Sequence, residues 1–181
     1  MVSDPLRTHL LRHSVREGEF TLKSGRTSRW FVDSKQTVCR PDGILAVADA
    51  ALAILPDETT AIGGLTMGAD PVAYGIAAVA ATRGRDLRSF SIRKEAKGHG
   101  VTGRLAGALL AGDKVVITED TVTRGSSLLD AAEVVRALGA EVILALAVVD
   151  RGGTCEAMAA DVGIPFVALA TAMDLGFDYG D

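Results

Sequence analysis

Cysteine is nearly absent from this sequence: Cys39 and Cys155 stand alone in 181 residues, with no C-x-x-C pattern. That excludes a disulfide framework and a thiolate zinc cluster, and two isolated thiols read as the reduced cysteines of a cytoplasmic protein. His9, His13 and His99 have no spacing that would build a zinc site with them. There is no basic excess either. Nineteen Lys and Arg stand against 23 Asp and Glu, and a formal net charge of −4 argues against a nucleic-acid or anionic-membrane partner. The longest apolar run, residues 44–55, is broken by Asp49 and is too short to span a bilayer. The first residues carry Asp4, Arg7, Arg12, Arg16 and Glu17, too many charges for a secretory signal. Repeats and low-complexity tracts are missing, and aromatic residues make up 4%. What remains is rich in Ala and Gly and 48% hydrophobic, which suits helices packed closely on a parallel sheet. The length fits a single domain, residues 1–181, with ample material for one core.

Residues 4–17 read as a helix, with Asp4 as N-cap, Pro5 at the first helical position and Gly18 as the stop. Residues 20–22 and 30–32 are short extended runs around a polar turn, a hairpin expected to lie outside the main sheet. A helix is expected over 41–55 and a strand over 59–63. After a small-residue loop, a second core helix spans 71–81, and a strand covers 87–92. A charged, glycine-bearing loop then runs to Gly103. Further on come a strand from Val115, a helix over 128–138, a strand over 142–149, a helix over 154–160 and a strand over 165–169. Strands alternating with helices predict an α/β fold with a parallel sheet and right-handed crossovers. Trp30 and Tyr74 read as packing residues.

The stretch Val115-Val116-Ile117-Thr118-Glu119-Asp120-Thr121-Val122-Thr123-Arg124-Gly125-Ser126-Ser127 organises the rest. An apolar β-branched run ends at two carboxylates, and a Thr/Ser/Gly loop leads into a helix. Open α/β sheets bind ligands at the carboxyl ends of their strands, and a small-residue loop before a helix offers N–H groups to an anion. Two carboxylates cannot hold a phosphate, but they can accept hydrogen bonds from paired hydroxyls such as those of a ribose. An ordinary strand–turn–helix with a Ser-rich cap would also carry these residues. The pattern resembles the ribose-5-phosphate loop of the phosphoribosyltransferases. A second stretch, Arg93-Lys94-Glu95-Ala96-Lys97-Gly98-His99-Gly100, gathers cations at the end of a strand in an otherwise acidic chain, where they would suit an anion such as a diphosphate or would equally form a solvated loop with no partner.

That second run resembles the mobile catalytic loop of the orotate phosphoribosyltransferases. Phe20-Thr21-Leu22-Lys23-Ser24-Gly25 with Ser28 and Phe31 is similar to the same family's N-terminal signature, and residues 63–73 to its diphosphate-side loop. The motifs keep their order from about Phe20 to Arg151. The resemblance implies a type I phosphoribosyltransferase-like fold, with a small N-terminal hood over about 1–40 and a core over about 41–181. It implies transfer of orotate onto 5-phosphoribosyl 1-diphosphate, giving orotidine 5′-phosphate and diphosphate, with Mg²⁺ held mainly by substrate. Glu119 and Asp120 would hold the ribose hydroxyls, and Thr121, Val122, Thr123, Arg124, Gly125, Ser126 and Ser127 the 5′-phosphate. Lys23, Arg93, Lys94, Lys97 and His99 would contact the diphosphate, with Lys97 and His99 as catalytic groups. Phe31, Thr123 and Arg151 would take orotate, the Arg151 fork suiting its carboxylate. A homodimer is implied in which the Lys97 loop of one subunit closes over the other's site.

The chain departs from the family pattern at three places. Val32 stands where many members have a second aromatic, a family lysine near Val72 is missing, and Arg124 replaces a small residue of the phosphate loop. Arg124 either points to solvent or adds a phosphate contact. Two rival readings are a phosphoribosyltransferase for another base and a non-catalytic regulatory protein that binds phosphoribosyl diphosphate. Arg151 and the Lys97 loop argue against the first, and the presence of Lys97, His99 and both acids argues against the second.

Overall fold

A computed structural model describes residues 2–21, 25, 27–97 and 103–179, with Lys97 described for its backbone alone. Five parallel strands form the centre: β3 (Ala61–Leu65), β4 (Arg88–Lys97), β6 (Lys114–Val122), β7 (Glu141–Asp150) and β8 (Phe166–Thr171). The sheet order is β5-β4-β3-β6-β7-β8, and β5 (Gly103–Gly107) adds an antiparallel edge beside β4. The sheet is therefore mostly parallel, with one strand that the sequence pattern did not reveal.

Alternation along the strands sends side chains to two cores. Val116, Leu144, Leu146 and Val148 face α3 (Pro41–Leu52) and α4 (Ala69–Thr82). Val115, Ile117, Ala145 and Ala147 face α5 (Ser126–Ala137) and α6 (Cys155–Ala160). Small residues such as Ala73, Ala77 and Ala80 of α4 and Ala131 and Ala132 of α5 are buried there, letting the helices lie close to the strands. No helix among the described residues is long and apolar enough to cross a membrane.

The hood differs from expectation. Helix α1 (Asp4–His13) stops four residues before Glu17, and Val15–Thr21 is instead strand β1, paired antiparallel with β2 (Thr27–Val32). Two links fix the switch. The Ser14 hydroxyl, fully buried, lies 2.6 Å from Thr37 Oγ1, and Ser14 O accepts the Asp33 N–H at 3.0 Å. Tertiary pairing here overrides a local helix pattern. After β2 comes α2 (Lys35–Val38), a four-residue helix too short to show a period in sequence. Strand β3 begins two residues later than Thr59, which is held in a turn by its N–H and hydroxyl bonding Pro56 O.

At the rim where the parallel strands begin, Asp113 is 5% exposed and accepts three hydrogen bonds. They come from the Leu110 N–H (2.7 Å), the Thr60 hydroxyl (2.9 Å) and the Arg88 guanidinium. Burial works to raise its pKa, but these donors outweigh it and hold the carboxyl below its ordinary value. Its contribution is thus present above the ordinary carboxylate range and lost as pH falls through the lowered folded value. Asp113→Ala should cost about 2–3 kcal/mol in urea unfolding at neutral pH. The gap from the parent should close in acid; a gap that persists below the carboxylate range would contradict this role.

Candidate active site

Strand β3 pairs with β6 as far as Ile117, whereas β6 continues beside β7 to Val122. Past Ile117, β6 has thus lost a neighbour on one side, and the turn leading into α4 fills the space. The acidic pair sits in this opening, inside the strand rather than beyond its end. Glu119 is 8% and Asp120 6% exposed. Gly68 lies directly on both: an added Cβ there would come within 1.8 Å of Glu119 Oε1 and 2.6 Å of Asp120 Oδ1. A side chain at that position would have to displace both carboxyl groups. Burial, then the adjacent Asp120 charge, push the Glu119 carboxyl up to about 8, well above the ordinary carboxylate range.

Asp120 stays engaged. Its Oδ1 accepts the Thr121 N–H at 2.9 Å, and its Oδ2 lies 2.5 Å from Lys35 Nζ. Partial burial opposes the Lys35 charge, but the hydrogen bond to Asp120 and the charges of Asp120, Asp33 and Glu119 outweigh it and raise its pKa. Beside it, Ser34 Oγ meets Thr121 Oγ1 at 2.6 Å. Sequence reasoning missed Ser34 and Lys35 altogether. A lysine on a four-residue helix carries no signal until the fold puts it against β6.

Val122 is buried, so its side chain belongs to the core. Thr123, Arg124 and Ser126 are exposed and Ser127 half-buried, around the first turn of α5. Gly125 turns the chain with φ 80°, where a Cβ would meet Cys155 Sγ at 2.5 Å, so both conformation and space call for glycine. No side chain caps α5, whose first N–H groups are directed at the loop. Burial, with the Asp150 charge, pushes the Cys155 thiol beneath this loop up to about 11.

Arg151 follows β7, and its N–H bonds Val122 O at 2.8 Å, which ties it to the loop. The Asp150 carboxylate accepts the N–H groups of Gly152 and Gly153, both at 3.0 Å, and shapes the turn. The Arg151 guanidinium donates to Ser28 Oγ (2.7 Å) and Trp30 O (3.3 Å) and lies 5.0 Å above the Trp30 ring. Trp30 in turn stacks on Phe177 at 4.4 Å. Ser28, Trp30 and Val32 share one face of β2, and Phe31, 42% exposed, is on the other, 5.7 Å from Phe20. Phe31 and Arg151 are therefore not brought together on one face of the hairpin. Val72 is fully buried between helix and sheet, so that position does not open onto the site. Tyr74, expected to pack, is half exposed with its hydroxyl 2.6 Å from Ser91 Oγ.

On the other side of β3, strand β4 carries Arg93 and the exposed Lys94. The Arg93 guanidinium turns away from the acidic pair to bond Leu105 O at 2.9 Å. Lys23, His99 and the Lys97 side chain lie outside the described residues. Among the described residues no group of three or more His, Cys, Asp or Glu could hold a metal.

The acidic pair, the uncapped start of α5 and Arg151 thus lie at the carboxyl rim of the sheet, and the chain as a whole is similar to known proteins. The phosphoribosyl transferase domain family matches residues 40–163. The orotate phosphoribosyltransferase of Nostoc sp. is 40% identical over 167 residues, covering 92% of this chain and 81% of its own. That of Streptomyces avermitilis is 39% identical over 181 residues, covering 97% and 100%. The Mycobacterium tuberculosis enzyme in complex with 5-phospho-α-D-ribosyl 1-diphosphate superposes with a TM-score of 0.78 at 28% identity, covering 95% of this chain and 97% of that one. With fold, motif order and relatives in agreement over nearly its whole length, this chain belongs to the phosphoribosyl transferase family and, within it, to the orotate phosphoribosyltransferases.

Proposed function

We propose that this protein joins orotate to 5-phosphoribosyl 1-diphosphate, a step of de novo UMP biosynthesis. The observation that supports the reading is the buried Glu119–Asp120 pair on β6, followed by the uncapped first turn of α5 and tied through Val122 O to the Arg151 N–H. Orotate N1 attacks the anomeric carbon and gives up its proton to the departing diphosphate or to water, while the bond to the diphosphate oxygen breaks and its electron pair leaves with diphosphate. The ring passes through an oxocarbenium-like state, as in glycoside chemistry. Glu119 and Asp120 bind the ribose hydroxyls on the face of a sugar gaining positive charge, and the 121–127 loop with the α5 N–H groups grips the 5′-phosphate. Arg151 meets the orotate carboxylate with its planar fork, pre-set by Ser28 and Trp30, and Thr123 borders the base. Phe31 flanks the base only if the hairpin shifts, since it faces away from Arg151 in the empty protein. Lys94, Lys97, His99, Lys23 and Arg93 serve the diphosphate, with Arg93 first releasing its hold on β5.

The hard oxygens of Glu119 and Asp120 suit Mg²⁺ arriving with its substrate, an ion that keeps most of its ligands from water and phosphate. When bound, it would neutralise charge growing on diphosphate. The assembly proposed is a homodimer in which each Lys97 loop serves the neighbouring site.

Orotate should be consumed in the presence of Mg²⁺ and 5-phosphoribosyl 1-diphosphate, with uracil disfavoured by about 2–3 kcal/mol because it leaves the guanidinium without its carboxylate. Comparable uracil turnover in an absorbance assay would overturn the assignment. For Glu119 the folded pKa is raised, so its stabilising contribution is full below the ordinary carboxylate range and fades as pH rises through about 8. Urea midpoints of the empty protein should fall between about pH 5 and pH 9, and Glu119→Gln should flatten that slope. Equal slopes in the two proteins would remove Glu119 as the cause. For the shared site, Lys97→Ala and Arg151→Ala should each be nearly inactive. Co-refolding them should restore roughly a quarter of parental activity, since about half the dimers are hybrids with one whole site. No recovery in a sample shown by mass to contain hybrids would exclude sharing.

A further inference from the structure

The edge hairpin formed by β4 and β5 is irregular where the site needs it. Ile92 pairs with Leu105, yet the next pair is Lys97 with Gly103. Four residues of β4, Arg93 to Ala96, thus oppose one residue of β5, Arg104. A bulge of this kind leaves backbone groups without ladder partners and bends the strand. Here side chains take over from the ladder. Arg104 Nε donates to Arg93 O at 2.7 Å, and Arg93 Nη1 donates back to Leu105 O at 2.9 Å and Gly103 O at 3.4 Å.

Arg104 does a second thing. Its Nη1 and Nη2 meet Asp130 Oδ1 and Oδ2 at 2.7 and 2.6 Å, a two-pronged pair of fixed geometry. Asp130 lies one turn into α5, the helix that starts at the phosphate loop. One guanidinium therefore ties the bulge carrying Lys94 to the helix whose first turn borders the opposite, 5′-phosphate end of the cleft.

We propose that Arg104 and Asp130 are positioning residues, a brace that fixes the spacing between the cationic bulge of β4 and the phosphate-loop helix, and so between the two anionic ends of phosphoribosyl diphosphate. The idea rests on the reading of the substrate given above. Neither residue touches substrate: the guanidinium is spent on Arg93 O and Asp130. The pair is partly exposed, with side chains 24% and 42% accessible, so it adds little to global stability. Its effect falls on geometry, where a misplacement of about 1 Å can lower a rate on the order of a hundredfold.

The test uses the protein with Arg104→Met, Asp130→Asn, the double variant and Arg104→Lys. Hydrogen exchange on the substrate-free protein reads the brace without any turnover. Both single variants should speed exchange in residues 88–97 and 103–107 and leave β7 as protected as in the parent. In kinetics, kcat/KM for 5-phosphoribosyl 1-diphosphate should fall about tenfold to a hundredfold in each single variant. The double variant should lose no more than the worse single one, Arg104→Lys should recover part of the rate, and the melting temperature should barely move. Unchanged exchange, losses that multiply in the double variant, or losses that follow a lowered melting temperature would overturn the brace. A parent protein inactive on orotate whose variants still loosen the hairpin would instead refute the substrate assignment and leave the brace standing.

Discussion

Two carboxyl groups held side by side and nearly out of water, at the open end of the central strand, are the constraint to which the surrounding structure answers. Like charges so placed repel, and burial penalises each of them. Three features relieve the cost in the empty protein. Glu119 holds its proton well above the ordinary carboxylate range, Lys35 stands against Asp120, and Gly68 removes the side chain that would otherwise strike both.

The sequence disclosed this centre because its signal is local: apolar strand, acidic pair, small loop and helix follow one another without interruption. Arg151 was picked out only through the family resemblance, which points to the arginine just past the next buried strand. What stayed hidden depends on partners distant in the chain. Val15–Thr21 is a strand because it pairs with β2 and because Ser14 is locked to Thr37, neither of which a window around residue 15 contains. Strand β4 runs on through Arg-Lys-Glu-Ala-Lys, a composition that reads as loop, because β5 and two arginine side chains hold it there. Lys35 illustrates the same limit, since its charge acquires meaning only when α2 is laid across β6.

The hood does more than cover the sheet. Its strand β2 presents Ser28 and Trp30 to Arg151, and Trp30 rests on Phe177 from the C-terminal part of the chain. Helix α2 then reaches the acidic pair through Lys35 and Thr121 through Ser34. Side chains of β6 and the Arg151 guanidinium are thereby anchored by one N-terminal unit.

The knot at Asp113 lies at the other rim, where β3, β4 and β6 begin, and it shares no residue with the cleft at their far ends. A parallel sheet in this way separates durability from chemistry by the length of its strands. Loops on the durable rim are free to be shortened, stiffened or recharged for heat tolerance with the catalytic rim untouched. A protein engineer or a lineage entering a hotter habitat would find its freedom there.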